Sequence, residues 1–496
     1  MTKKSSGFDG IENCLLKKMI AHIADPLVYI INLSISSGIV PDNMKIAKVV
    51  PIFKKGNKDD VNNYRPISLL TTFSKIIERI IYIRTIKFCQ LHNIFTEFQF
   101  GFRENHSTSH ALLSFVQKTT KSLDQFCHMV GVFLDFSKAF DTINHQILLK
   151  KLYHYGIRGK ALEWFRSYLS NRKQFVTVND IDSQLLNIDC GVPQGSILGP
   201  LLFIIFINDF HNCSDKLSFL MFADDSNLFF SHPDPQILVN TVNTELVKVS
   251  QWIKANKLTL NVTKSKYMIF SNSLEELPDD IFVDTTALEQ VSNIKFLGVN
   301  VDNKLTWKHH ISTITKTISR NVGVINKLKF CLPSSNLLML YSTLVLPYIN
   351  YGILVWGNTH QYLLEKILLL QKKCLRIIFN LNPLAHTDEL FFENKILKVN
   401  ELYSFQLGQF MFKFNNNKAP TIFDNIFHRN DTVHNYPTRR SNEFHLPLLR
   451  TILAQNTFVY TGPKFWNGLD HTTTDSNTIC SFKYKLKKSL LSSYKA

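Results

Sequence analysis

Two adjacent aspartates between two apolar runs are the feature that most constrains the fold. Asp224 and Asp225 separate the apolar runs at residues 217–223 and 226–230, within the segment FLMFADDSNLFF. Short apolar runs around a polar pair predict two antiparallel strands joined by a tight turn. Aspartate is also a common turn residue, so the pair alone has an ordinary structural explanation. Apolar strands on both sides would nevertheless hold two carboxylates close together, and their mutual repulsion must be offset by cations.

A third carboxylate follows another apolar strand. The segment MVGVFLD, residues 129–135, predicts a strand that ends at Asp135. Strands and helices are mixed in this part of the chain, which predicts an α+β domain. Three carboxylates delivered by two strands suit Mg²⁺, a hard cation that prefers oxygen ligands and keeps sites for water and phosphate. Two such ions can activate an attacking hydroxyl and stabilise a leaving pyrophosphate in an in-line phosphoryl transfer.

The net charge indicates a polyanionic partner. The 496 residues carry a formal net charge of +17, which favours nucleic acid or an anionic membrane surface. Residues 301–380 hold ten Lys and Arg against Asp302 and Glu365, a net charge of +8. A solvated helix face is the alternative explanation for this basic region. The length predicts about two to four domains.

The sequence predicts no membrane span and no signal peptide. The opening residues, MTKKSSGFDGIENCLLKK, lack the apolar segment of a signal peptide. Apolar residues at helical spacing predict one or two amphipathic helices in the first thirty-odd residues, with a boundary near Pro26. The uncharged segment LLMLYSTLVLPYINYGILVW is long enough to cross a bilayer, but Pro347, Asn350 and Gly352 interrupt it. We therefore expect two buried helices joined at a turn. The eight cysteines lack CxxC pairs, which indicates a reducing compartment.

Seven segments give the chain a family resemblance. They are, in order, KVVPIFKKGNKDDVNNYRPISLL, FQFGFR, VGVFLDFSKAFDTINH, GVPQGSILGPLLF, FADD, LTLNVTKSKYMIF and IKFLGV. This order resembles the reverse transcriptases of non-LTR (LINE-type) retrotransposons, especially the Jockey-like elements. The resemblance implies a right-hand polymerase with fingers, a palm with an antiparallel sheet, and a helical thumb, followed by a mainly helical C-terminal region. The implied divisions are an N-terminal helical extension at residues 1–35, fingers and palm at 36–302, a thumb at 303–380 and a region without an assigned role at 381–496.

The resemblance also implies the members of the active site. Asp135 and Asp224 would bind two Mg²⁺ ions, for which Mn²⁺ can substitute, with Asp225 as the partner acid and the Phe136 carbonyl as a further ligand. Phe140 matches the aromatic residue under the sugar, where a ribose 2′-hydroxyl would clash. A core phenylalanine is its alternative explanation. The remaining nucleotide-binding residues would be Gln194 and Gly195, which pack against the incoming nucleotide and template, and Lys54 and Arg65, which neutralise the triphosphate. Lys55 is an alternative to Lys54.

Further residues are implied to contact the reacting ends and the nucleic acid. Lys264 matches the position of a general acid for pyrophosphate. Phe296, Leu297 and Gly298 resemble a hairpin that grips the primer, and Lys327 and Lys329 in the thumb would contact phosphates. The implied partners are an RNA template, a DNA primer or target and dNTPs, with no membrane. The implied location is intracellular, in a cytoplasmic ribonucleoprotein and in the nucleus. Arg439 and Arg440 are candidates for RNA contact or for stabilising a loop.

One departure from the family keeps a second hypothesis open. Complete elements of this type carry an endonuclease ahead of the polymerase, and the residues before the first matching segment are too few to hold one. The chain is therefore expected to be either an active polymerase or a catalytically inert, repurposed nucleic-acid-binding remnant. A group II intron maturase fits GVPQGSILGPLLF and the C-terminal segments less well.

Overall fold

Helices alternate with strands along the first quarter of the chain. The computed structural model describes residues 6–272, 280–433 and 440–494. Its first elements are α1 (Asn13–Ser37), β1 (Ile46–Phe53), β2 (Tyr64–Leu69), α2 (Thr72–Leu91), α3 (Thr108–Asp124) and β3 (His128–Leu134). The side chains of Thr71 and Ser107 accept hydrogen bonds from the backbone N–H groups of Ser74 and His110. These bonds satisfy donors that would otherwise be unpaired, so they fix where α2 and α3 begin.

α1 continues through the predicted boundary at Pro26. Proline removes the hydrogen bond to the carbonyl four residues earlier. That carbonyl belongs to His22, an exposed residue, so water can take the place of the missing donor. The prediction of a boundary at Pro26 was therefore wrong, and one long helix forms instead.

The central part of the chain supplies most of the two larger sheets. Its elements are α4 (His145–His154), α5 (Gly159–Leu169), β4 (Arg172–Val178), β5 (Ile181–Asp182), β6 (Leu186–Ile188), α6 (Leu198–Ile207), β7 (Ser218–Phe222), β8 (Asp225–His232), α7 (Pro235–Ala255) and β9 (Lys266–Phe270). One sheet has the order β2–β1–β4–β5, and β6 also pairs with β4. Strands β1 and β2 are antiparallel, whereas β1 and β4 are parallel. We call this five-stranded sheet the fingers sheet.

Short strands and then helices complete the described chain. The strands are β10 (Phe282–Val283), β11 (Thr286–Ala287), β12 (Glu289–Gln290), β13 (Asn293–Phe296) and β14 (Val299–Asp302). The helices are α8 (Lys308–Leu328), α9 (Ser334–Leu344), α10 (Leu346–Asn350), α11 (Ile353–Trp356), α12 (Gln361–Ile378), α13 (Asp388–Glu393), α14 (Val399–Asn415), α15 (Asn430–Val433), α16 (Ile452–Gln455), α17 (Phe458–Asn467), α18 (His471–Thr474) and α19 (Ile479–Ser492).

The second large sheet, the palm sheet, has the order β12–β9–β3–β8–β7. Its central strand β3 is antiparallel to both neighbours, β8 and β9. All seven residues of β3 are buried. Met129 and Phe133 belong to one apolar core, whereas Val130, Val132 and Leu134 belong to the other. Successive strand residues point to opposite faces, so both faces of the palm sheet are covered.

The two cores differ in what covers them. Helices α2, α4, α5, α6 and α7 contribute to the core on one face of the palm sheet. The core on the other face contains residues of α3, the β13–β14 hairpin, and the helices from α8 to α19. This second core continues across residue 380, where the thumb was predicted to end. The expected α+β fold class, with a helical part after the palm, is confirmed.

The apolar segment after Phe330 folds into the three short helices α9, α10 and α11. Leu337, Tyr341, Ile349 and Trp356 are buried, whereas Met339 is 65% exposed. The expected helices are therefore present with one more break than predicted, but they are buried on one side only. Among the described residues, one helix has the length and composition to cross a bilayer. This helix is α1, with a mean hydropathy of 1.4 over its most apolar window. A single apolar helix near the N-terminus is weak evidence for a membrane span.

Candidate active site

The two adjacent aspartates lie at the tip of the predicted hairpin. Phe222 pairs with Asp225 across β7 and β8, so Ala223 and Asp224 form a two-residue turn. Ala223 has a φ of 56°, in the left-handed region that favours the tight turns of hairpins. The prediction of an antiparallel hairpin with the acids at its tip is therefore confirmed by the strand pairing.

Asp135 lies directly after β3, beside this turn. Leu134 pairs with Ser226, which brings Asp135 alongside the first residue of β8. The Asp135 N–H donates to Ser265 Oγ at 3.1 Å, and its carbonyl accepts from the Asn261 N–H at 2.7 Å. Ser265 is fully buried. The backbone of Asp135 is thus held on both sides before any ligand binds.

The site acids influence each other electrostatically. Partial burial, followed by repulsion from Asp224 and Asp135, raises the pKa of Asp225 to about 6. Burial and repulsion from Asp135 also raise the pKa of Asp224, whereas Lys54 and Arg65 lower it. Both acids remain open to solvent at the hairpin tip. Positive charge from Lys54, directly after β1, and from Arg65 of β2 therefore acts on Asp224, and triphosphate binding by these residues stays a prediction.

The predicted convergence of three carboxylates on metal ions is not met. Within residues 6–272, 280–433 and 440–494, no three acidic, histidine or cysteine side chains form a group that could hold a metal ion. Asp135 and Asp224 still offer hard oxygen donors whose repulsion a cation would relieve, which fits a divalent metal. Phe136 and Leu260 form an isolated antiparallel bridge, whose hydrogen bonds are made by the Asp135 carbonyl and the Ser137 N–H. The Phe136 carbonyl makes neither of these two bonds.

Phe140 lies after Asp135 in the loop between β3 and α4. Its ring stacks on Phe203 of α6 with ring centroids 4.5 Å apart. The rings of Phe140 and Phe102 are perpendicular, with centroids 6.3 Å apart. Phe203 is fully buried, whereas Phe102 is 48% exposed. One side of the half-buried Phe140 ring is therefore fixed against the core, while the other side remains near solvent.

Gln194 and Gly195 lie in a loop that joins the palm to the fingers sheet. The Gln194 side-chain amide donates to both carboxylate oxygens of Asp141 at 2.9 Å. The backbone carbonyl of Gln194 accepts from the Ser68 N–H at 2.7 Å. Gly195 has a φ of 126°, and a Cβ there would lie 2.5 Å from the Ser68 carbonyl oxygen. The loop needs glycine at this position. Asp141 and Gln194 also line a cavity of about 290 Å³.

Two acids that support this loop were missed by sequence reasoning. Asp141 orients Gln194, and it directly follows Phe140 in the sequence. Glu78 is fully buried; it accepts hydrogen bonds from Tyr168 Oη at 2.9 Å and from the Ile197 N–H at 2.7 Å. Burial raises the pKa of Glu78 despite these bonds. A lone acid on the apolar face of α2 was the signal in the sequence, because buried charges need partners.

The other predicted site residues differ in their exposure to solvent. Lys264 is exposed in the turn before β9. Leu297 and Gly298 form the two-residue turn of the β13–β14 hairpin, and the Leu297 carbonyl accepts from Tyr351 Oη at 2.6 Å. Phe296 is only 4% exposed and packs against Phe115. The ring of Phe296 therefore belongs to the core, and the predicted primer contact is restricted to the turn.

The basic residues beyond the palm also vary in exposure. Lys327 is exposed on α8, and Lys329 is half-buried just after it. Arg439 lies outside the described residues, and Arg440 lies 3.7 Å from Glu443. This contact fits the loop-stabilising alternative for Arg440.

A mainly antiparallel sheet with an acid at the end of its central strand and two acids at the tip of its hairpin, near the basic residues Lys54 and Arg65, is the arrangement of a right-hand nucleotide polymerase. Residues 52–301 match the reverse transcriptase (RNA-dependent DNA polymerase) family, and the chain belongs to it.

Relatives from mobile elements confirm the non-LTR, LINE-type assignment. The RNA-directed DNA polymerase from mobile element jockey of Drosophila funebris is 28% identical over 410 residues, which are 80% of this chain and 44% of that protein. The probable RNA-directed DNA polymerase from transposon BS of Drosophila melanogaster is 29% identical over 397 residues, 76% of this chain and 43% of that protein. The chain spans less than half the length of these relatives.

A telomerase from Candida albicans, in complex with a fragment of telomeric RNA, aligns with a TM-score of 0.41 and 14% identity, over 73% of this chain and 60% of that chain. A likeness of this size adds nothing to the assignment.

Proposed function

We propose that the chain is an RNA-directed DNA polymerase that adds dNTPs to a primer 3′-hydroxyl on an RNA template. The observation that carries this proposal is the strand pairing that places Asp135 beside the turn with Asp224 and Asp225, where the charges of Lys54 and Arg65 lower the pKa of Asp224. A triphosphate with bound cations needs both acidic and basic side chains, since carboxylates hold the metal and basic side chains neutralise the phosphates.

The roles of the acids and cations follow from their chemistry. Asp135, Asp224 and the Phe136 carbonyl would hold Mg²⁺, for which Mn²⁺ can substitute, with Asp225 as the neighbouring acid. Two bound ions would activate the primer hydroxyl and stabilise the leaving pyrophosphate. Arg65 binds phosphate oxygens through its planar fork, and Lys54 acts as a point charge. Lys264 is the proposed proton donor to pyrophosphate.

Neighbouring residues select and position the nucleotide. Phe140 excludes a 2′-hydroxyl beneath the sugar, which is supported by the packing of its ring on Phe203. Gln194 and Gly195 support the nucleotide and template, with Asp141 orienting the Gln194 amide. Leu297 and Gly298 contact the primer end.

The thumb binds the duplex through its phosphates. Lys327 and Lys329 contribute positive charge, and Lys316, Arg320, Lys366 and Lys373 line a groove of about 590 Å³ between α8 and α12. Such contacts hold nucleic acid without reading its sequence. Binding of RNA and DNA would place the protein in a cytoplasmic ribonucleoprotein and in the nucleus.

Primer extension on an RNA template with Mg²⁺ tests the proposed function. Asp224→Asn is expected to lower kcat by about a thousandfold, equivalent to several kcal/mol of lost metal-dependent stabilisation. Asp215→Asn is the matched control, because Asp215 is an exposed acid before the opposite end of β7, and it should leave the rate unchanged. If the unmodified protein binds primer–template but extends no primer with Mg²⁺ or Mn²⁺, the remnant hypothesis is the correct one.

A further inference from the structure

Gln99 lies against the turn that carries Asp224, although it is distant in sequence. Its side chain is 1% exposed. Gln99 Oε1 accepts from the Ala223 N–H at 2.9 Å and from the Gly101 N–H at 2.7 Å. Gln99 Nε2 donates to the Ala223 carbonyl at 3.4 Å. One amide thus bonds to both backbone groups of the first turn residue.

The backbone around Gln99 holds the same hairpin. The Phe100 N–H donates to the Met221 carbonyl, and the Met221 N–H donates to the Phe98 carbonyl, both at 2.8 Å. Gly101 lies so close to the turn that a Cβ there would be 2.3 Å from the Ala223 nitrogen. Residues 98–101 therefore form a short parallel bridge along β7 that ends at the turn.

The turn needs such support because its conformation is costly. Ala223 has a φ of 56°, and a non-glycine residue in this region is strained unless its surroundings compensate. The Gln99 amide supplies an acceptor for the Ala223 N–H and a donor for its carbonyl. An ionised glutamate at this position would lack the donor, and methionine would offer only a weakly accepting sulfur.

We propose that Gln99 is a positioning residue that fixes the Ala223 backbone and thereby the direction of the Asp224 carboxylate. The inference rests on the proposed function, because the position of Asp224 matters for phosphoryl transfer. Gln99 itself contacts neither nucleotide nor template. Its effect is on the geometry of the acid, so it should influence the chemical step more than nucleic-acid binding.

Hydrogen exchange in the full chain tests this role without metal or nucleic acid. Mass spectrometry would follow peptides that cover the hairpin, residues 217–230, in the unmodified protein and in Gln99→Met. Loss of the amide is expected to speed exchange at the turn by about tenfold or more, because the Ala223 N–H loses its buried acceptor and the Ala223 carbonyl loses its donor. Gln99→Glu keeps the acceptor and loses the donor, so its exchange rate should lie between the other two.

Gln371→Met is the matched control. Gln371 is also fully buried, and its side chain donates to Tyr341 Oη at 2.9 Å and to the Leu397 carbonyl at 3.2 Å, within the helical core. This variant should lose stability without faster exchange at the hairpin. In primer extension, Gln99→Met should lower kcat by about tenfold or more while its primer–template Kd stays within about twofold.

Equal hairpin exchange in the unmodified protein and in folded Gln99→Met would overturn the inference. If Gln99→Met does not fold, Gln99→Glu decides: unmodified exchange and kcat in that variant would also overturn it. If the unmodified protein extends no primer, the proposed function fails. The exchange rates still test the contact in that case, because they require no catalysis.

Discussion

At the scale of single residues, Phe140 is held more firmly than its place in a loop suggests. The ring stacks on the buried Phe203, and the Phe140 carbonyl accepts from the Val192 N–H at 2.9 Å. The ring and the backbone of Phe140 are therefore held by different segments of the chain. A ring fixed in this way can exclude a small group by its shape, since displacing it would disturb the core.

Phe140→Ala is expected to admit ribonucleotides while deoxynucleotide addition stays measurable. The reason is that the variant removes bulk beneath the sugar, where the 2′-hydroxyl is the group that separates the two substrates, and leaves every metal ligand intact. Competitive primer extension with dNTPs and NTPs measures the ratio of kcat/KM for the two. Phe330→Ala serves as the control, because Phe330 is 84% exposed just after α8. Unchanged discrimination in Phe140→Ala would make Phe140 an ordinary core residue.

The sequence predicted the positions of single residues well where these residues belong to a local motif. Asp135, Asp224 and Asp225 follow from apolar runs that end in acids, because strand patterns are local. The contacts of Gln99 and Asp141 were not predictable in this way. Each joins segments more than 50 residues apart, and the partner in one case is a backbone amide, which leaves no trace in residue type. The left-handed conformation of Ala223 was equally hidden, since alanine does not favour it.

At the scale of elements, α8 places its apolar and its basic residues on different faces of one helix. Ile311, Ile314, Ile318, Val322 and Ile325 are buried on one face. Lys316, Arg320 and Lys327 are exposed on the rest of its surface. The spacing of the isoleucines matches the helical period, which is why this helix could be predicted from sequence. The continuation of α1 through Pro26 depends on solvent at the exposed His22 carbonyl, so it could not be predicted in this way.

Neutralising the thumb lysines should change the salt dependence of binding. For Lys327→Gln/Lys329→Gln, the slope of log Kd against log salt is expected to fall by about 2 on a primer–template duplex, one unit for each lost phosphate contact. Affinity should fall alike for all sequences. Fluorescence anisotropy across a salt titration measures both quantities. Lys17→Gln/Lys18→Gln in α1 removes the same charge from an exposed site and should leave the slope unchanged.

If the two double variants gave the same slope, net charge rather than the thumb would govern binding. An unchanged slope in the Lys327 and Lys329 variant alone would contradict the thumb assignment.

At the scale of the whole molecule, a carboxylate at the end of α3 adds polar contacts to the apolar core that joins the C-terminal region to the palm sheet. Asp124, at the end of α3, accepts from the Thr451 N–H at 2.7 Å and from Thr451 Oγ1 at 2.9 Å. Arg450 donates through Nε to the Asp124 carbonyl at 3.0 Å, and its guanidinium lies 3.5 Å from the centre of the Phe126 ring. Burial opposes ionisation, but the bonds from Thr451 and Arg450 lower the pKa of Asp124 below its ordinary 3.8.

This attachment predicts a pH-dependent stability. A carboxylate with a lowered pKa stabilises the fold above its ordinary pKa, and this contribution is lost as the pH falls through the lowered value. At pH 7, Asp124→Asn is expected to lower the free energy of unfolding by about 1 kcal/mol, because bonds to a charged acceptor become bonds to a neutral one. The difference from the unmodified protein should shrink at pH 3.

Urea unfolding followed by tryptophan fluorescence at both pH values measures this effect. Asp424→Asn is the control, since Asp424 is an exposed acid of the C-terminal region. A difference that is equally large at pH 7 and pH 3 would show that the charge of Asp124 does not contribute.

The burial of β3 on both faces also governs how the protein is made. The core on one face is built from α2 and α4 to α7, which end at residue 255, but the core on the other face includes residues from Phe296 to Leu491. At a synthesis rate of about 5–20 residues per second, the ribosome needs roughly 20–70 seconds to add the last of these residues after β3. During that interval the nascent chain presents Phe115, Met129 and Phe133 without their final cover. Chaperone capacity during translation, rather than the stability of the finished fold, should therefore limit the yield of soluble protein.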